Sequence, residues 1–138
     1  MARLATIEEI LTASETELAL PALSASVGEP RSLKVRKLSR AEFLLCLPPS
    51  PPGSDSWAKE DWPAKEETWL ATLEPEALDA RRRTLAALNA RVVSICALDP
   101  ALTFEQAQRL GDDALTVATE LLRFSGIGTP EKTATDAA

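Results

Sequence analysis

Three four-residue stretches fix where helices must begin in this chain. Thr6-Ile7-Glu8-Glu9, Ser39-Arg40-Ala41-Glu42 and Thr103-Phe104-Glu105-Gln106 each place a hydroxyl residue three positions before Glu or Gln. In such a capping box the hydroxyl accepts from the backbone N–H of the fourth residue. The fourth side chain accepts from the first N–H in return, so two orphan donors at a helix start are satisfied. After the first box, Ile7, Ile10 and Leu11 fall on one face of a short helix ending near residue 13. After the second, a helix runs through Phe43 and Leu44 until Pro48 and Pro49 end it, because proline removes a donor and clashes with the preceding turn. After the third, a short helix reaches Leu110 and Gly111 caps it. Asp112 then opens a last helix over residues 113–124.

Two more patterns complete the fold. Pro75 suits a first helical turn, and Leu78, Leu85, Leu88, Val92 and Ile95 recur at three-to-four spacing. This predicts one long helix over residues 75–98, stopped by Asp99-Pro100. Nearer the N-terminus the period is two. Leu23, Ala25 and Val27 alternate with Ser24 and Ser26, and beyond Gly28-Glu29-Pro30-Arg31, Leu33 and Val35 alternate with Lys34 and Arg36. Two alternating runs joined by Gly and Pro predict a β-hairpin. The expected fold is therefore a small α+β domain, mainly helical, with an N-terminal β-hairpin, over residues 1–127. A Pro/Trp-rich connector at 48–64 holds five prolines, and a short helix follows over 65–73. The small, polar residues 128–138 are expected to be a disordered tail.

Composition narrows the chemistry. Fifteen Lys and Arg against twenty-one Asp and Glu give a net charge of −6, which opposes binding to nucleic acid or to anionic membrane. There is no His, so any mechanism that needs imidazole as base, proton shuttle or metal ligand is excluded. Without it no nucleophile–base pair or metal set can be assembled, and no cofactor motif is present. The sequence therefore predicts a non-enzyme. Cys46 and Cys96 sit among apolar neighbours outside any C-x-x-C pattern, as small buried hydrophobes in a reducing compartment do. No run approaches the roughly 18 apolar residues of a membrane span. A cytoplasmic protein is expected.

Charged clusters have structural explanations. Glu8-Glu9 and Asp112-Asp113 stand at helix starts, where the helix dipole favours negative charge; adjacent helical residues do not face each other as an acid–base pair must. Arg81-Arg82-Arg83 reads as a solvated helix turn, with Asp79 at pairing distance and no glycine-rich loop behind it to make a phosphate site. Lys34 and Arg36 share the outward face of the hairpin, where charge keeps an exposed strand from pairing with another chain. The unusual feature is aromatic. Trp57, Trp62 and Trp69 all fall within thirteen residues. They either pin the connector to the core or form a contact surface for a partner, since tryptophan is enriched at binding hot spots. On the last helix Val117, Leu121 and Phe124 form a stripe that is either core or a second partner face.

The order of these elements resembles the small tail assembly chaperones of long-tailed bacteriophages and prophages. The likeness begins with the Thr6-Ile7-Glu8-Glu9-Ile10-Leu11 helix and the hairpin ending in Val35-Arg36-Lys37-Leu38-Ser39-Arg40-Ala41-Glu42. It continues through Asp99-Pro100-Ala101-Leu102-Thr103, Glu105-Gln106-Ala107, Leu110-Gly111-Asp112-Asp113 and the closing Glu120-Leu121-Leu122-Arg123-Phe124-Ser125-Gly126. Residues 48–69 depart from the family pattern. The resemblance implies a non-enzymatic protein of the infected cell's cytoplasm, absent from the mature virion. Such a protein binds the tape-measure protein and recruits tail-tube subunits around it. A homo-oligomer is compatible with this reading. The alternative is a phage or bacterial adaptor, or a minor structural protein retained in a particle.

Overall fold

Each capping box opens a helix with both of its reciprocal hydrogen bonds in place. The structure, a computed structural model, describes residues 2–127. Helix α1 spans Ile7–Ser14; the Thr6 hydroxyl accepts from Glu9 N–H at 3.1 Å, and Glu9 accepts from Thr6 N–H at 2.9 Å. Strand β1, Glu15–Ala19, follows at once. It pairs antiparallel with β2, Ser32–Arg36, from Glu15 opposite Arg36 to Ala19 opposite Ser32. Lys37 N–H donates to Ser14 O at 2.8 Å and Leu20 N–H to Arg31 O at 2.9 Å, so the ladder gains one bond at each end.

The expected hairpin is present, but its first strand is not the run from Leu23 to Val27. Pro21–Val27 form helix α2, which lies inside the hairpin connection. Pro21 takes the first helical turn, where a missing N–H costs nothing. Gly28 ends the helix in the left-handed conformation, at φ 80°, which glycine adopts without a Cβ penalty. The alternation of apolar and serine residues is overridden by these two end signals. Leu23 and Val27 remain exposed as a result.

Helix α3 spans Arg40–Cys46. The connector folds into two short 3-10 turns, Ser54–Ser56 and Lys59–Asp61, and α4 begins at Trp62, running to Leu70. The last tryptophan pair is thus helical, and the short helix starts three residues earlier than its composition suggests. The long helix expected over 75–98 is two helices, α5 Pro75–Ala86 and α6 Leu88–Cys96. The backbone breaks at Ala87, at φ −89° and ψ −5°. The break separates two environments: α5 buries no residue, whereas α6 buries Ala90, Val92, Val93 and Cys96. Residues Ala97–Asp99 then form β3, which pairs antiparallel with the free edge of β2. The sheet order is β1-β2-β3. Helices α7, Phe104–Gln108, and α8, Asp112–Phe124, complete the chain. The expectation for residues 128–138 lies outside the described residues.

The core forms between the sheet and α3, α6, α7 and α8. From the central strand, Leu33 and Val35 point inward while Lys34 points out, as a period of two requires. They meet Val92, Val93 and Cys96 of α6 and Val117 and Leu121 of α8, all essentially inaccessible. Small residues at Ala90, Ala107, Ala114 and Ala118 are buried too.

Two polar devices lock the frame. Asp113, only 2% exposed, accepts from Ala22 N–H at 2.8 Å and Leu23 N–H at 2.9 Å. It therefore caps α2, a helix ninety-one positions away in the chain, while its own helix has no side-chain cap. Arg36 makes a two-pronged contact with Glu42, at 3.0 and 2.8 Å, and donates to Ile95 O at 3.2 Å. One guanidinium thereby ties β2 to α3 and α6. Together with the Ser39 N–H, it holds the Glu42 carboxyl down at about 2, from an ordinary 4.5. A depressed carboxyl stabilises the fold fully above its unfolded value, and the gain is lost as pH falls from about 4.5 towards 2. Both side chains are about one-third exposed, so solvent screening limits the gain to about 1 kcal/mol. Chemical denaturation of Glu42→Gln against pH should show that loss missing between pH 4.5 and 2. Parallel curves for the two proteins would contradict the assignment.

Candidate functional site

The tryptophan cluster was the first candidate, and the structure divides it. Trp57 and Trp62 pack edge to face, with ring centroids 5.1 Å apart at 68°, a favourable arrangement for two ring quadrupoles. Lys65 Nζ lies 5.5 Å from the Trp57 ring centre. Trp69 stands apart, with the Arg81 guanidinium 5.5 Å from its ring. Arg81 also donates to Pro49 O at 3.3 Å and to Glu66 at 3.4 Å, so this one side chain ties the proline segment to α4 and α5. All three tryptophans are half-buried. Trp57 and Trp69 line one apolar cleft of about 380 Å³ with Ala64, Lys65 and Thr68. On its other side Trp69 lines a second cleft, of about 290 Å³, with Pro48, Pro49, Leu73 and Ala77. The tryptophans thus pin the connector and still wall two apolar clefts. Neither α4 nor α5 buries a residue, so these clefts lie on the outside of the fold.

The stripe on α8 resolves differently. Val117 and Leu121 are fully buried, and Phe124 is half-buried with Lys37 Nζ 5.3 Å from its ring centre. Val117 and Leu121 are core, and the reading of this stripe as a partner face is corrected. The helix packs Val117 and Leu121 on α6 and the sheet, while Phe124 keeps part of its ring exposed.

The uncovered apolar surface is elsewhere, on α1. Ile7, Ile10 and Leu11 are 76%, 56% and 52% exposed, and Leu4 just before them is 90% exposed. Positions 7, 10 and 11 share one helical face about 100° wide. No residue of α1 is buried. Leu44 and Leu45 on α3 are also exposed, whereas Phe43 and Cys46 of that helix face inward. Sequence reading found the α1 stripe but not its significance. A stripe bound for a core and a stripe left bare have the same period, and only the packing tells them apart. For Leu44 and Leu45 a signal existed: with Phe43 and Cys46 inward, two adjacent leucines cannot both turn in.

The remaining chemistry is quiet. Cys46 and Cys96 are both buried, and burial pushes the Cys96 thiol up to about 11 and raises that of Cys46, which disfavours the thiolate that a nucleophile requires. Among the described residues no three His, Cys, Asp or Glu side chains gather where they could hold a metal ion. No helix among them is long and apolar enough to cross a membrane. A scan against protein-family models and searches of the curated proteins and of solved structures found no match.

Proposed function

We propose that the protein is a tail assembly chaperone, a non-enzymatic partner-binding protein that covers apolar helical stripes of a tape-measure protein before tail-tube subunits replace it. The observation that carries this reading is the bare apolar face of α1. Leu4, Ile7, Ile10 and Leu11 stand exposed on a helix that the other described residues do not cover. A soluble protein gains nothing from such a face unless something else covers it. An apolar helix laid against it is the simplest complement. The net charge of −6 keeps the resulting complex dispersed. The face is also small. Eight residues rise about 12 Å on a helix about 10 Å across, a face of about 120 Å², well short of the roughly 800 Å² per partner of a standard interface. Such a contact is weak and exchangeable, as a role that ends in displacement requires. The family resemblance of residues 5–127 supports the same reading and supplies the partners, tape measure and tail tube, and the cytoplasmic setting.

Co-expression with the neighbouring long helical gene product tests this. The chaperone reading expects the two to co-purify and expects mass spectrometry of finished particles to lack this chain. A stoichiometric amount in finished particles would instead establish the alternative, a retained structural protein.

A further inference from the structure

The arginine run on α5 does not behave as one solvated turn. Arg81 is held by Pro49 O, Glu66 and Trp69, and Arg82 pairs with Asp79 at 3.0 Å. Arg83 turns away from both, into an open cleft of about 420 Å³ at the break between α5 and α6. Arg91 of α6 lines the same cleft, with Phe104 and Gln108 of α7. Arg3, Arg31, Arg36, Arg81, Arg82 and Arg123 all have carboxylate partners. Among the described residues Arg40, Arg83, Arg91 and Arg109 have none, and of these Arg83 and Arg91 line one cleft, in a chain where acidic residues outnumber basic ones by twenty-one to fifteen. Two cations that share a cleft and lack counter-charges repel each other and attract an anion.

We propose that this cleft binds an oxyanion carried on a flat apolar body. The Arg91 guanidinium carbon lies 4.7 Å from the Phe104 ring centre. Stacking on the ring restricts the guanidinium plane and leaves its edge donors free to fork onto an oxygen pair. Arg83 supplies the second fork from across the break. The Gln108 amide, unpartnered among the described residues, adds a donor at the rim. The exposed part of Phe104 and the neighbouring Ala86 and Ala87 give the ligand's apolar body a place to rest. The cleft volume lies within the range of small-molecule sites. The chain's net charge of −6 disfavours a polyanion, so the ligand is a single carboxylate or phosphate group. This inference is independent of the chaperone reading and of α1.

Amide NMR titration of the full chain tests it with three probes: benzoate, phenyl phosphate and uncharged benzamide. Saturable shifts around Arg83, Arg91 and Gln108 are expected with one or both anions, in the millimolar range, and not with benzamide. Tighter binding of benzoate assigns the natural ligand to carboxylates, such as an acidic side chain of a partner; tighter binding of phenyl phosphate assigns it to phosphate esters. Arg83→Gln and Arg91→Gln should each weaken binding about tenfold, the effect of losing one charged hydrogen-bonding group. Arg91→Lys should fall between, because it keeps the charge and loses the fork. Arg82→Gln, off the cleft, should bind as the wild type does. All three positions are on the surface, and unchanged spectra elsewhere will show that the variants fold. Shifts that do not saturate, equal shifts with benzamide, or full affinity in both glutamine variants would overturn the proposal.

Discussion

Replacing Asp113 with alanine should destabilise the protein by about 2–4 kcal/mol, more than any other single change to a polar residue. Its carboxylate accepts from the first free N–H groups of α2, at 2.8 and 2.9 Å, and is 2% exposed. Losing a helix cap costs about 0.5–2 kcal/mol, and a buried donor left unpaired adds about 1–3 kcal/mol of desolvation cost. Leu20, at the cap position of α2, offers no side-chain acceptor, so nothing local replaces Asp113. Asp113→Asn keeps one acceptor oxygen and loses the charge; it should cost about half as much. Urea denaturation measures both, and amide exchange at Ala22 and Leu23 should quicken first. An alanine variant within about 0.5 kcal/mol of wild type would mean that α2 is held in some other way.

The second large effect concerns the face of α8. Leu121→Ala should cost about 3–4 kcal/mol, through lost transfer energy and the cavity left behind. Leu115→Ala on the same helix should cost under about 0.5 kcal/mol, because that side chain is 57% exposed. The contrast separates core from surface on one element. If Leu121 belonged to a partner face, its removal would weaken binding and leave the fold intact. Equal stability of the two variants would restore that rejected reading.

These two residues also show what the sequence can and cannot disclose. The three capping boxes are complete within four residues each, and all three helices start where the boxes place them. Helix α2 has a local signature as well, in Pro21 and Gly28, yet its cap comes from Asp113 at the far end of the chain. The short alternation from Leu23 to Val27 therefore looked like a strand. Strand β3 is three residues long, too short to show a period, and exists because the edge of β2 is there to pair with. The break at Ala87 lies in an alanine- and leucine-rich run of high helix propensity, and nothing local marks it. Glu42 was legible as a cap; its second role, gripping Arg36, depends on the strand and helix meeting in space. The tryptophans were found by composition, whereas the bare face of α1 looked like any core stripe.

The most direct test of the account is the double variant Ile7→Glu, Leu11→Glu. Because α1 buries no residue, the substitutions should leave the denaturation midpoint nearly unchanged, within about 0.5 kcal/mol. Co-purification with the tape-measure protein should nonetheless be lost. If the variant still captures that partner as the wild type does, α1 is not the docking face and the central claim fails.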